Sequence, residues 1–300
     1  MFENVRELHV EPTSLCNAEC PMCARNIYGD GINPNITLGS LTLEWFKSNI
    51  LPHHVRNLEK IFFCGNLGDP AACPELLDII HYLKTFNTEI VVGLNTNGGL
   101  KTATWWGKLG QLLNGRLDYC VFSIDGMQDT NHLHRRKVVW QKVIENAKAY
   151  ISTGASAHWD MLVFKHNAHQ IDHARSMAKD LGFTWFRSKQ TDRWDTYSKT
   201  ELQPVEKYNK PDIGQITCEK ERDSSLFIDY TGRIWPCCHM AEAYFNKIGE
   251  ELHKDIKQFD NEELLVEYKK RLKDTPFYIC GRACGTQGKR SQWKTVEQLK

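Results

Sequence analysis

No stretch of the 300-residue sequence reaches the roughly 18 apolar residues that a membrane-spanning helix needs. No charge sign dominates: 38 Lys and Arg against 37 Asp and Glu leave a formal net charge of +1, which points to neither bulk nucleic acid nor a membrane surface as partner. The start carries no secretory pattern, because Val5–Pro12 is charged and alternating where a signal would be basic and then apolar. No internal repeat or low-complexity segment is evident, and no RNA-binding domain is fused. Hydrophobic content of 41% and charged content of 25% are ordinary for a soluble globular chain, and the length allows a sizeable core. Cysteine, in contrast, is abundant, with 11 residues. Many cysteines without an export signal point to metal or redox chemistry in a reducing compartment, so the expected location is cytoplasmic.

Three of these cysteines, Cys16, Cys20 and Cys23, stand together as C-x3-C-x2-C within Glu11–Arg25. Thiolates at short spacings hold iron–sulfur clusters. Three of them can hold three corners of a 4Fe–4S cube and leave the fourth iron open to a small chelating ligand. A structural zinc site is the alternative, although it normally wants four ligands. A disulfide arrangement would leave an odd thiol.

The chain around this motif alternates strands and helices. Val5–Val10, Lys60–Cys64, Glu89–Leu94, Leu117–Ile124, Ala157–Phe164 and Phe183–Arg187 read as strands. Thr42–Ile50, Pro74–Phe86, Thr104–Leu113, Val138–Ile151 and Asn167–Leu181 read as helices, with Thr42 and Asn167 as caps and Gly182 as a stop. Alternation of this kind implies a parallel sheet, and six units are too few for a closed eight-unit barrel. The expected fold is α/β, a partial (β/α)6 TIM-like barrel over 1–190, then a linker or active-site loop over 191–215. A small domain at 216–286 would hold a hairpin around Thr231-Gly232 and a helix over Ile256–Leu272, and 287–300 would be a basic tail or helix. Ligands of parallel α/β folds sit at the carboxyl ends of strands. Five such tips carry small or polar residues: the cysteine loop, Gly65–Pro70, Asn95–Gly98, Ser123–Gly126 and Lys165–Asn167. Each alone is also an ordinary turn.

Together these residues resemble the radical S-adenosylmethionine (SAM) enzymes. The resemblance covers about residues 5–190 and implies a cluster on Cys16, Cys20 and Cys23 whose open iron binds SAM. Leu67-Gly68-Asp69-Pro70 is similar to the family's GGEP motif, which meets the SAM amino group, with Leu67 for the first glycine and Asp69 for the glutamate. Asn95–Gly98, including Asn97, resembles the family's TNG turn, and Ser123-Ile124-Asp125-Gly126 its S-x-D-G tip. Arg135 is similar in position to an arginine that pairs with the SAM carboxylate, for which a guanidinium is well suited, and Arg136 is its neighbouring alternative. Met22 takes the place whose backbone faces the adenine.

A second cysteine set follows. Cys218 and Cys237 bracket Gly232, and Cys280 and Cys284 form C-x3-C. This resembles the SPASM or shorter twitch domain of many such enzymes. With Cys238 the set has only five cysteines, which implies one auxiliary 4Fe–4S cluster and favours twitch. Structural zinc at the four thiols is the alternative. Cys238 is then left over, as a packing residue or a hydrogen-atom donor. Cys64, Cys73 and Cys120 are read as core or wall residues.

The implied activity is reductive cleavage of SAM to a 5′-deoxyadenosyl radical, which abstracts hydrogen from a substrate C–H bond. A one-electron reductant such as flavodoxin or ferredoxin is implied. Oxidation of a small polar molecule is the expected reaction, because no peptide-recognition domain precedes the first strand. Epimerisation or maturation of a ribosomal peptide are alternatives within the superfamily, RNA modification ranks lower, and a zinc-binding interaction module is the alternative of another class. His132, His134, Arg187, Arg193 and Asp195 are loop candidates for substrate binding or acid–base work.

Overall fold

The computed structural model describes residues 2, 4–29, 31–191, 202–205, 216–218, 220, 224–246, 261–284 and 294–300. Arg193, Asp195, most of the 191–215 linker and residues 256–260 of the expected helix lie outside the described residues.

Six strands, β1 (Glu7–Val10), β2 (Lys60–Phe63), β3 (Val91–Thr96), β4 (Tyr119–Ser123), β5 (Ala157–Val163) and β6 (Trp185–Gln190), lie side by side in chain order. All five contacts between them are parallel. This is the open, partial barrel expected. The helices between strands are α1 (Leu43–Asn49), α2 (Pro52–Asn57), α3 (Leu76–Phe86), α4 (Ala103–Leu112), α5 (Asn131–His134), α6 (Trp140–Ile151) and α7 (Ile171–Leu181). Their boundaries follow local chemistry. Thr42 Oγ1 accepts from Trp45 N at 3.1 Å and starts α1. Gly182, at φ 89°, supplies the left-handed residue that ends α7.

Burial alternates along β1, β2, β5 and β6. Leu8, Val10, Ile61, Phe63, Val92 and Phe122 point outward and pack against the helices through Phe46, Ile80, Leu83, Trp106 and Tyr150. Cys73 and Cys120 belong to this core, both at 0% exposure. The opposite face of the strands lines the barrel lumen and is more polar, with Asn95, Tyr119, His158, Asp160 and Arg187. Gly93 makes room there: a Cβ would lie 2.5 Å from the Tyr119 ring, which stacks toward Phe62 and would have to shift. At the base, the buried Asp118 carboxylate takes Lys84 Nζ at 2.7 Å and Val92 N at 2.7 Å, tying α3 to β3 and β4.

The C-terminal half differs from expectation in two places. The hairpin strands β7 (Ser225–Ile228) and β8 (Ile234–Trp235) continue the barrel sheet, because β7 pairs parallel with β1 from Glu7↔Ser225 to Val10↔Ile228. The terminal residues, expected as a tail or helix, include β9 (Lys294–Gln298), antiparallel to β6. The order is therefore β8-β7-β1-β2-β3-β4-β5-β6-β9. Helices α8 (Cys238–Asn246), α9 (Asn261–Asp274) and α10 (Tyr278–Cys284) pack a second core around Trp235, Met240, Leu264 and Phe277. No helix among the described residues is long and apolar enough to cross a membrane.

Candidate active site

One cavity of about 820 Å³ opens at the carboxyl ends of β1–β6. Its wall includes Cys16, Cys20, Met22 and Cys23 from the first tip, Gly65–Asp69 from the second, Asn95–Asn97 from the third, and Ser123 with Arg135 from the fourth. The three thiols thus share one wall although they come from an irregular loop. That loop is fixed locally: Ala18 N donates to Cys16 Sγ at 3.3 Å, and Cys23 N to Cys20 O at 3.1 Å. Burial pushes the Cys16 thiol up, with the Asp69 carboxylate adding to it, and pushes Cys20 up to about 11. Thiolates in such surroundings need a positive centre beside them, as a bound metal supplies. Among the described residues no three His, Cys, Asp or Glu side chains converge as one metal ion requires. Three thiols on the wall of one cavity are a donor set that fits a 4Fe–4S cluster, with one iron for each thiolate.

The second tip is held against the cysteine loop by backbone contact. A Cβ on Gly68 would lie 1.9 Å from Thr13 O, and one on Gly65 would lie 2.3 Å from Gly68 O. Glu11, buried at the end of β1, accepts from Leu67 N at 2.5 Å and Gly68 N at 3.1 Å. Burial pushes its carboxyl up to about 8, and Asp229 and Glu242 push in the same direction. A carboxyl raised in the folded state contributes stability that is complete below about pH 4.5 and is lost as pH rises through about 8. Glu11→Gln, which keeps an acceptor oxygen, should therefore gain stability relative to the parent over that interval. Equal pH slopes in denaturant titrations of the two proteins would contradict this.

Asp69 is on the cavity wall, and its carboxylate is engaged within the protein. Its carboxylate accepts from Ala71 N at 3.0 Å, Thr96 Oγ1 at 2.9 Å and Asn97 N at 2.7 Å, so it locks the second tip to the third. Asn97 in turn donates to Asn17 Oδ1 at 2.9 Å and reaches Cys16 Sγ at 3.6 Å. Asp125, expected among the cofactor contacts, has 0% exposure and is absent from the cavity wall. It accepts from His134 Nδ1 and Arg135 Nε, each at 2.6 Å, and from Leu162 N at 2.7 Å. Burial alone would raise this carboxyl, but Arg135 and His134 hold it down to about 2. Arg135 reaches the wall beside Cys20, and Arg136 is not among the lining residues.

Asn167 does not cap a helix side-chain to backbone. Its amide donates to Asp125 O and Leu162 O, and its oxygen accepts from Phe164 N, so it stitches the fourth and fifth tips. Met22 packs on Phe164 and on Leu202 of the linker. Of the loop candidates, His134 is buried on Asp125, His132 is exposed on α5, and Arg187 lies on β6, paired with Asp160. Glu11, Arg25, Lys189 and Gln190 join the site without having been expected. Arg25 Nε donates to Ser14 O at 2.9 Å. Lys189 and Gln190 line the cavity because β6 runs three residues beyond Arg187.

In the second cysteine group, the fields of Cys284 and Cys218 add to the burial that raises Cys237, and those of Cys237, Cys284 and Cys218 add to the burial that raises Cys280. Burial pushes Cys237 up to about 11 and Cys280 up to about 12. Cys218 Sγ lies 2.6 Å from Tyr268 Oη. Cys238 opens α8 and neighbours Cys64 and Cys237. Cys64, not Cys238, is on the wall of the main cavity.

A family model described as the Radical SAM superfamily matches residues 10–177. The chain belongs to the radical SAM superfamily. The match takes in the cysteine loop and the first five strand tips. A comparison with curated proteins found no match. Among solved structures, Streptococcus suis SuiB bound to precursor peptide SuiA is similar at a TM-score of 0.60 and 14% identity, over 95% of this chain and 68% of that one. SuiB bound to S-adenosylmethionine is similar at 0.56 and 13%, over 79% of this chain, which spans only 61% of that one. The anSMEcpe protein with bound AdoMet is similar at 0.53 and 16%, over 77% and 74%. At these identities the likeness is one of fold, and the three share the radical SAM partial barrel.

Proposed function

We propose that this chain binds a 4Fe–4S cluster and SAM in the cavity at the strand tips and uses them to oxidise a C–H bond of a small polar molecule. The observation that carries this reading is that Cys16, Cys20, Cys23, Gly68, Ser123 and Arg135 all line one cavity. Cys16, Cys20 and Cys23 would hold the cluster, and the backbone at Gly65–Gly68, on the same cavity wall, would meet the SAM amino group. Arg135 Nε is taken by Asp125, so an incoming carboxylate would meet the outer guanidinium nitrogens, with Ser123 beside them. When bound, the two groups supply one-electron cleavage leading to hydrogen abstraction, and an auxiliary cluster supplies an acceptor for the second electron of an oxidation. Met22, on the cavity wall and clustered with Phe164 and Leu202, would put an apolar surface beside that chemistry. An electron donor such as flavodoxin or ferredoxin and a cytoplasmic setting belong to the same reading.

Cys218, Cys237, Cys280 and Cys284 are the proposed ligands of one auxiliary 4Fe–4S cluster in a SPASM/twitch-type region over 216–286. The fields that Cys218 and Cys284 exert on both Cys237 and Cys280 support it. Anaerobic reconstitution should give about eight iron per chain, the sum of two cubes, and Cys237→Ser with Cys280→Ser should lower this to about four. SAM binding by equilibrium dialysis should persist in that variant. An unchanged iron content would remove the auxiliary cluster, and a reconstituted parent that fails to bind SAM would remove the whole reading. A peptide substrate is the second reading, favoured by fold similarity to the peptide-bound SuiB over 95% of this chain. Cys238 as hydrogen-atom donor would instead serve a redox-neutral epimerase. Its place outside the cavity wall gives that role less support than a packing one.

A further inference from the structure

Below the main cavity the lumen holds a second chamber of about 350 Å³. Its walls are Phe62, Tyr119 and Trp185, with Val121 and Val296 of β9 among the apolar lining. Asn95 lines both cavities and is their junction. The Asn95 Oδ1 atom is buried and has no hydrogen-bond partner. A buried acceptor left unmet costs about 1–3 kcal/mol, so the Asn95 amide gains by turning toward a ligand that donates to it.

The chamber's charges cancel. Arg187 Nε donates to Asp160 Oδ1 at 2.8 Å and Arg187 Nη2 pairs with Asp160 Oδ2. His158 lies flat on Tyr119, with ring centroids 5.1 Å apart. Burial, with Arg187 adding to it, lowers its imidazole to about 4, so it is neutral at physiological pH. Space of this size, aromatic walls and a few fixed polar groups are the makings of a small-ligand pocket.

Resting on the functional reading above, we propose that this lower chamber is the substrate's recognition pocket. It takes an uncharged ring or side chain that offers an O–H or N–H donor to Asn95, and so holds the adjoining C–H bond at the floor of the cofactor cavity. The neutral Asp160–Arg187 pair disfavours a charged occupant, because its fields are already spent on each other. A cyclic polyol and a polar side chain of a peptide share this chemistry.

The test uses reconstituted protein with SAM and three probes: myo-inositol, N-acetyl-tyrosinamide and, as a charged control, glucuronate. Binding is read by saturation-transfer NMR, and SAM affinity by dialysis. At least one neutral probe should bind, and Val121→Phe, which fills the chamber, should weaken it at least about tenfold while SAM affinity stays within about twofold. Asn95→Leu should weaken the same probe, and it decides the matter if Val121→Phe does not fold. Preference for inositol assigns a sugar-like substrate, and preference for the tyrosinamide a peptide. Absence of binding by both neutral probes, equal binding to parent and filled variant, or tighter binding of glucuronate overturns the proposal. Failure of the functional reading is separate and visible first, as loss of SAM binding by the parent.

Discussion

Asp125→Asn should destabilise the protein by about 3–5 kcal/mol, the usual cost of breaking a buried ion pair from one side. The carboxylate has 0% side-chain exposure, and the Arg135 guanidinium that it neutralises has only 17%. An amide keeps one acceptor for Leu162 N but leaves Arg135 without its counter-charge. Because Arg135 is held by this bond, SAM affinity should fall as well, by at least about tenfold for a weakened charge-assisted contact. The sign with pH is fixed. A depressed carboxyl contributes stability present above its usual 3.8, and the contribution is lost as pH falls toward about 2. Denaturant midpoints at neutral pH and at about pH 3 measure both effects. A variant as stable as the parent at neutral pH would show that Asp125 does not organise the fourth tip.

Gly68→Ala should also be damaging, for a steric reason. The new Cβ would meet Thr13 O at 1.9 Å, Thr13 C at 2.7 Å and Ser14 Cα at 3.0 Å, all backbone atoms of the cysteine loop. No rotamer change relieves that contact, so the loop itself must move. Overpacking of this kind costs about 1–3 kcal/mol or more, and here it displaces the loop that carries Cys16, Cys20 and Cys23. Iron retention and SAM affinity should both fall. Gly107→Ala is the control, since a Cβ there meets nothing within 4 Å and α4 should gain up to about 1 kcal/mol from alanine. Full iron loading in Gly68→Ala would contradict the close packing of the two tips.

The barrel was legible because its outward strand faces are apolar runs and its helices carry ordinary stops such as Gly182. The tips were legible as polar residues at strand ends. What the sequence hid was direction. Asp69 and Asp125 stand where motif reading expects ligand contacts, and both carboxylates also accept internal hydrogen bonds from partners distant in sequence, which removes Asp125 from the cavity wall. Glu11 is not legible as a site residue because its partners, Leu67 N and Gly68 N, lie 56 and 57 residues away in sequence. Lys189 and Gln190 were missed because their polarity ended the apolar pattern before β6 itself ended. β9 had no legible apolar pattern, being an exposed edge strand whose register comes from β6.

The central claim is that Cys16, Cys20 and Cys23 make this chain a SAM-cleaving enzyme. The direct measurement is 5′-deoxyadenosine formed per chain by anaerobically reconstituted protein given SAM and a strong reductant, for the parent and for the triple Cys→Ala variant. The account predicts steady release by the parent and none above background by the variant, with the variant's SAM-free fold unchanged by circular dichroism. Release by the triple variant, or none by an iron-loaded parent, would contradict it.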